Sequence, residues 1–373
     1  MADKPTKGLA DVVAASTAIS DIDGQAGRLF YRGYDIHDLA GRTTFEETAH
    51  LLQYGRLPNA GELAAYGAEL AGSRSLGELA ESCLPRVAGR QSPMEALRTL
   101  VSLAGGDDPD KDSNAPEADL RKAARLTARQ PVLVARYHAA RTGADLPEPD
   151  PERGIAANFL LQITGRVPDR RAVEIFDTCL VLHADHTMNA STFAARVCAA
   201  TLSDMHSAIV AAIGTLKGPL HGGANEQVMR TLQALDPSGV ARAVRERLAA
   251  GEKIMGFGHR VYKTEDPRAT HLRRMSRELA EASGDDTLYR MSKEMEEVVF
   301  ETKGLYPNVD FYAATVYHYL GIPTDLFTPV FSVSRMSGWT AHVIEQHSDN
   351  RLIRPDSEYV GERDQKWKPI GER

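Results

Sequence analysis

Two histidines and one aspartate stand on three stretches punctuated by glycine and proline. They are His221 in Gly218-Pro-Leu-His-Gly-Gly-Ala-Asn225, His259 in Gly256-Phe-Gly-His-Arg-Val-Tyr262, and Asp310 in Tyr306-Pro-Asn-Val-Asp310. Gly-Pro and Gly-Gly pairs interrupt regular structure, so each side chain is presented by a turn rather than laid on a helix face. An aspartate can act as a general base. A histidine can donate a hydrogen bond or a proton to a carbonyl oxygen as charge develops. The set therefore suits proton abstraction beside one carbonyl and attack on another. Spacing alone leaves open the alternative of three unrelated capping or core residues.

Three arginines add a second theme. Arg268 follows Asp266-Pro267, Arg335 lies in Ser332-Val-Ser-Arg335, and Arg354 lies in Leu352-Ile-Arg-Pro355. The planar guanidinium fork matches a carboxylate, and several converging forks fit a di-acid substrate. Each alone also reads as a surface or ion-pair residue. Lys253, Arg260 and Lys263, with the backbone of Ile254, Met255 and Gly256, offer a seat for a phosphorylated cofactor, although no Walker or Rossmann glycine pattern is present. His183 and His186 flank Asp185, but no third or fourth metal ligand follows from the spacing, so no metal is expected and His186 is read as a substrate hydrogen-bond donor.

The elements that must position these groups are mostly helical. Residues 8–34 read as an extended lead-in with a small hairpin turned at Asp23-Gly24 and Ala26-Gly27. Helical periodicity then dominates. Thr44 to Glu47 resembles a capping box, Asn59 opens another helix, and Ser92-Pro93 and Asp266-Pro267 are cap-and-first-turn signals. Residues 105–118 read as a solvated acidic loop whose spacing fails an EF-hand. Helices are expected at Leu120 to Leu126 and Gln130 to Thr142, at 171–185, and from Ser332 to Gln346. The architecture expected is all-α.

Bulk composition narrows the function class. The 373 residues are 42% hydrophobic and 25% charged with a net charge of −7, which disfavours a nucleic-acid or anionic-membrane partner. The three cysteines, Cys83, Cys179 and Cys198, form no close pair and read as reduced core thiols. Residues 1–8 contain no apolar leader core, and no uncharged run reaches membrane-spanning length, so a cytoplasmic protein is expected.

Taken together, the motifs resemble the citrate synthase family across nearly the whole chain. The matching segments are Ile22 to Asp35, His183-Ala-Asp-His186, Gly218 to Asn225, Gly256 to Arg268, Pro307 to Asp310 and Leu352 to Pro355, in the family's order. The resemblance implies a two-domain helical fold with a short N-terminal β-hairpin. A large domain would span 1–222 and 323–373, and a small inserted domain 223–322, with the site in the cleft between them. It implies that Asp310 takes a methyl proton from acetyl-CoA, that His221 stabilises the enol or enolate, and that His259 polarises the ketone of oxaloacetate. His186, Arg268, Arg335 and Arg354 match oxaloacetate ligands, Arg354 reaching across a homodimer. Lys253, Ile254, Met255, Gly256, Arg260 and Lys263 match the CoA region. The CoA thioester would be a substrate, with no tightly bound cofactor. The family's larger, NADH-regulated members carry an extension before the Ile-Asp-Gly segment, which here begins at residue 22, so a dimer is expected. Propionyl-CoA in place of acetyl-CoA (2-methylcitrate synthase) and a non-catalytic helical scaffold are the rival expectations.

Overall fold

The computed structural model describes residues 7–9 and 12–373, and the leader reading of residues 1–8 lies mostly outside them. The fold is all-α apart from a three-stranded antiparallel sheet near the start. Strand Ser20–Asp23 pairs with Arg28–Tyr31, Asp21 facing Phe30, and Tyr34–Asp35 adds a third strand. Asp23 Oδ1 accepts from the amides of Gln25 and Ala26 and shapes the turn. A Cβ on Gly24 would stand 2.4 Å from Val261 O, so only glycine lets this turn nest against the loop that carries His259. The amide of Lys263 donates to Gly24 O at 2.9 Å in the same place.

Local signals account for many helices. Thr44 and Glu47 form a capping box on Phe45–Tyr54, as do Asn59 and Glu62 on Ala60–Gly72. Ser92 and Pro93 open Pro93–Gly106, and Asp266 and Pro267 open Pro267–Ser283. Two helices escaped sequence reading, Glu78–Ala88 and Ile155–Thr164. Both follow a glycine without a capping side chain. Their caps come from afar: Asp107 Oδ2 accepts from Leu79 N at 3.0 Å and Glu46 Oε1 from Ile155 N at 2.7 Å.

Other expectations need correction. The two helices expected between 120 and 142 are one, Pro116–Thr142, running through Pro131. Proline removes one ladder bond, and packing on both sides outweighs that loss: Gln53 Nε2 reaches Thr127 Oγ1 at 3.1 Å and Gln130 Nε2 reaches Ser332 Oγ at 2.8 Å. The acidic loop is not simply solvated either. Asp108 is 2% exposed and takes two bonds from Arg125, at 2.6 and 2.8 Å. The last long helix begins at Phe327 rather than Ser332, with Pro329 tolerated in its first turn.

That helix, Phe327–Ser348, is the axis of the larger packing group and is buried on nearly every side. It packs on helices Phe45–Tyr54, Pro116–Thr142, Arg170–His183, Ala190–Ala199 and Met205–Leu216. Five helices form a second group: Ala224–Ala234, Val240–Ala249, Pro267–Ser283, Thr287–Lys303 and Val309–Tyr319. The groups touch where Ala224–Ala234 meets the axial helix, where Val309–Tyr319 meets Arg170–His183, and where Pro267–Ser283 meets Ile36–Leu39 and Arg170–His183. There His37 Nδ1 lies 2.8 Å from His271 Nε2, and Arg171 grips Glu278 at 2.5 and 2.8 Å.

Gly338 sets the closest approach of the axis to the segment bearing His186. A Cβ there would stand 2.4 Å from Ala184 O and 2.5 Å from Asp185 Oδ1. Gly338→Ala is expected to lower stability by about 1–3 kcal/mol through overpacking. Denaturant unfolding reads this directly, and an unchanged midpoint would contradict it.

Candidate active site

His221 sits in the turn between helices Met205–Leu216 and Ala224–Ala234. Gly222 N donates to Leu216 O at 3.0 Å, and a Cβ on Gly222 would meet that oxygen at 2.5 Å, so the turn folds back on the preceding helix only with glycine. Thr328 Oγ1 donates to Gly222 O and ties the turn to the axial helix. His221 Nε2 lies 2.8 Å from Ser191 Oγ and 3.3 Å from Ser191 N. A backbone amide can only donate, so Nε2 accepts and the ring proton belongs on Nδ1. Trp339 Nε1 donates to Ser191 Oγ at 3.1 Å and steadies it. Burial and then the charge of Arg335 press the His221 pKa down to about 4, so the ring is neutral near pH 7.

His259 carries the opposite tautomer for the same kind of reason. Its Nδ1 accepts from the amides of Val261 and Tyr262, at 3.0 and 3.1 Å, which leaves the proton on Nε2. Burial, followed by Arg268, lowers its pKa to about 4. Its loop is stitched to the segment before Asp310. Asn308 N donates to Gly256 O at 2.9 Å, Gly258 N to Tyr306 O at 2.9 Å, and Asn308 Nδ2 to Gly258 O at 3.0 Å. Gly256 at φ +85° and Gly258 at φ +74° adopt the left-handed backbone this stitching needs.

Asp310 is not presented by a turn, as expected, but occupies the first helical turn of Val309–Tyr319, where Asn308 caps the helix and accepts from the Asp310 amide at 3.0 Å. A helix N-terminus favours a carboxylate, yet the Asp310 pKa is pushed up to about 7. Burial dominates, Arg268 and Arg335 oppose it, and Asp266 adds to it. A carboxyl of this kind is half ionised at neutral pH, as a general base requires.

The arginines meet the cleft in three different ways. Arg335, 1% exposed on the axial helix, donates through Nε to His183 O at 2.8 Å and lies over the Phe331 ring at 4.7 Å. Among the described residues no carboxylate oxygen lies within 4.0 Å of it. Burial lowers its pKa to about 10. A buried cation with no ion-pair partner is costly, and an anionic ligand relieves that cost. Arg268 is also buried, but Asp266 grips it at 2.9 and 2.7 Å. Arg354 is exposed in the extended segment after residue 349, beside Asp356 at 3.3 Å, and does not enter the cleft of its own chain.

His186 is buried, its Nε2 3.3 Å from Tyr262 Oη and its ring 5.1 Å from the His259 ring. His183 and Asp185 have other partners. His183 faces Phe331 and Tyr317, and Asp185 pairs with Ser20 and His342. Among the described residues no three His, Cys, Asp or Glu side chains gather as a metal site. Lys253, Ile254 and Met255 line a surface cavity of about 350 Å³ together with Arg230 and Arg247. Gly256 is buried beneath it against Val228 and Phe311, while Arg260 and Lys263 are exposed. Sequence reading missed Ser191, Trp339, Tyr262, Arg230 and Arg247. The first three lie near glycine-rich or histidine motifs, but their partners are set by tertiary approach alone.

A family model described as citrate synthase, C-terminal domain, matches residues 8–356. The chain is 50% identical to citrate synthase 2 of Bacillus subtilis, over 99% of each chain. It is 44% identical to a 2-methylcitrate synthase of Shewanella oneidensis, over 98% of this chain and 97% of that one. A citrate synthase of Thermoplasma acidophilum, solved in a ternary complex with carboxymethyl coenzyme A and oxaloacetate, superposes with a TM-score of 0.93 at 32% identity, covering 99% and 100% of the two chains.

Asp266 stands out as the site's own support. Asp266→Asn keeps the shape but leaves Arg268 buried without a countercharge, and should cost about 3–5 kcal/mol of stability. Thermal unfolding of the two proteins side by side measures this. A loss below about 1 kcal/mol would show that the pair is dispensable.

Proposed function

The chain belongs to the citrate synthase family of acyl-transferring enzymes, and we propose that its cleft performs the family reaction with the groups described above. Acetyl-CoA condenses with oxaloacetate, and the citryl-CoA so formed is hydrolysed to citrate and CoA. Asp310 takes a proton from the acetyl methyl carbon. His221, neutral, donates from Nδ1 to the thioester oxygen as it becomes enolic. The nucleophilic carbon then attacks the ketone carbon of oxaloacetate, whose oxygen receives the Nε2 proton or hydrogen bond of His259. Water finally cleaves the thioester and releases CoA.

The observation that carries this reading is a buried carboxyl at the start of the helix whose cap, Asn308, is stitched to the His259 loop, together with two histidines whose donor nitrogens are assigned by backbone amides. Neutral donors suit a thioester oxygen, because they polarise it without an acid strong enough to protonate Asp310 first. Arg335, Arg268 and His186 clamp the carboxylates of oxaloacetate, which fixes the electrophile and lowers the entropic barrier. Arg335 lacks a carboxylate partner of its own, which supports that role. Lys253 to Gly256, with Arg260 and Lys263, take the CoA end, and Arg230 and Arg247 extend the same basic surface. The CoA thioester serves as a substrate, and protein groups carry the chemistry.

Two domains, 1–222 with 323–373 and 223–322, are proposed to close over the substrates. The separate packing of the five helices from Ala224 to Tyr319 supports this division. A homodimer is proposed as well. Leu352, Tyr359, Val360, Trp367 and Ile370 are exposed along the final segment, and Phe193 and Val197 form a partly buried apolar strip one helical turn apart. A second copy covering them would bring Arg354 to its partner's cleft. A cytoplasmic location is proposed, and among the described residues no helix is long and apolar enough to cross a membrane.

The relative from Shewanella oneidensis makes propionyl-CoA the second substrate to weigh. One methylene is worth only about 1–3 kcal/mol of discrimination. Steady-state turnover with each thioester and oxaloacetate is expected to favour acetyl-CoA, and a higher kcat/KM for propionyl-CoA would reverse the assignment. Asp310→Asn should lower kcat by about 10²- to 10⁴-fold with the fold intact. In the parent enzyme the base is ionised above its raised pKa. Activity should therefore fall as pH drops through about 7, with His221 and His259 neutral throughout. Arg354→Ala should raise KM for oxaloacetate by about tenfold or more, as expected for one lost charge-assisted contact. An unchanged KM would remove Arg354 from the site.

A further inference from the structure

Behind Asp310 lies a group of polar atoms that the reaction above does not use. Asp310 Oδ1, Tyr317 Oη and His183 Nε2 are each buried without a hydrogen-bond partner among the described residues. Buried polar atoms are seldom left unsatisfied, so three in one neighbourhood require an explanation. Tyr317 follows Asp310 by seven residues on the helix Val309–Tyr319, which places both on one face. Helical side chains lean toward the N-terminus, and this lean carries the Tyr317 ring back toward Asp310. His183, at the end of Arg170–His183, flanks it with its ring centre 6.2 Å from that of Tyr317. Phe176 and Phe327 pack the remaining sides of the tyrosine ring.

The donors and acceptors do not balance among themselves. His183 Nδ1 lies 2.8 Å from Cys179 O, which only accepts, so Nδ1 holds the proton and Nε2 is a bare acceptor. The ionised Asp310 oxygen is a second acceptor. Tyr317 supplies a single O–H. One water satisfies all three, accepting from Tyr317 and donating to both His183 Nε2 and Asp310 Oδ1, which is the usual bonding of a buried water. We propose that Tyr317 and His183 hold a buried water against Asp310 and act through it as positioning residues for the base. This inference rests on the reading of Asp310 as the base.

The water donates to the ionised carboxylate and favours it against the burial that opposes it. The other charged or titratable groups facing these atoms are Arg268 and Asp266 at the start of Pro267–Ser283, Arg335 on the axial helix, and Cys179 and His186 near His183. None of them changes in Tyr317→Phe, which removes only the hydroxyl oxygen. Losing that anchor should raise the acid limb of the kcat–pH profile by about half a pH unit to one unit, the size of one hydrogen bond. Turnover on the alkaline plateau should stay within about twofold, and KM for oxaloacetate should not move. A purely structural tyrosine would leave the limb in place, and a profile superimposable on the parent's overturns the proposal. So does a high-resolution crystal structure with no ordered water bonded to these three atoms. Asp310→Asn, assayed alongside, separates the two levels. If it is inactive while Tyr317→Phe is unshifted, only the water site fails. If it turns over normally, the base assignment fails and the water site with it.

Discussion

The cleft depends on one buried carboxylate. Asp266 accepts from Arg268 Nε and one terminal nitrogen, from the Arg268 amide and from the Val309 amide at 3.2 Å. It therefore caps one helix, holds the guanidinium that opens that helix, and reaches the first residue of the helix that presents Asp310. Burial alone would raise its pKa, but the adjacent Arg268 charge prevails and holds it below the usual carboxylate range. A buried carboxylate that accepts four hydrogen bonds is a rigid joint. Arg268 and the start of the helix that presents Asp310 are thereby fixed relative to one another before any ligand arrives.

Around that joint the polarity of the site follows from desolvation. Burial is the first cause of the lowered pKa of His183, His186, His221 and His259, and of the raised pKa of Asp310. One physical effect makes the histidines neutral and the aspartate weakly acidic, so donors and base coexist at one pH. The backbone then decides direction. Ser191 N turns His221 so that Nδ1 is the donor, and Val261 N with Tyr262 N turns His259 so that Nε2 is. The two histidines thus have opposite tautomers without any charged partner to set them.

Charge is handled differently on the two sides of the cleft. Arg268 is neutralised internally, whereas Arg335 is buried with a carbonyl and an aromatic face as its neighbours. An unneutralised buried guanidinium is tolerable in a site that takes up an anion. The same economy explains Gly338 and Gly24. Both remove a side chain where backbone must approach backbone, bringing the His186 segment against the axial helix and the N-terminal turn against the His259 loop.

The residue motifs alone determined much of this protein. The loops at His221, His259 and Asp310 carry their chemistry in short glycine- and proline-marked strings, and helices capped by Thr44, Asn59, Ser92 and Asp266 announce themselves, because a cap is a contact between residues three or fewer positions apart. What tertiary structure decided involves contacts across long separations. The helices Glu78–Ala88 and Ile155–Thr164 borrow caps from Asp107 and Glu46, and Pro131 passes through a continuous helix because distant side chains hold it there. Ser191 and Trp339 reach His221 from elsewhere in the chain, and their role has no local pattern. The tautomers, the neutral state of the histidines and the raised pKa of Asp310 belong to this second class as well. They are set by burial and by which amide faces which nitrogen, and neither is a property of any short stretch of sequence.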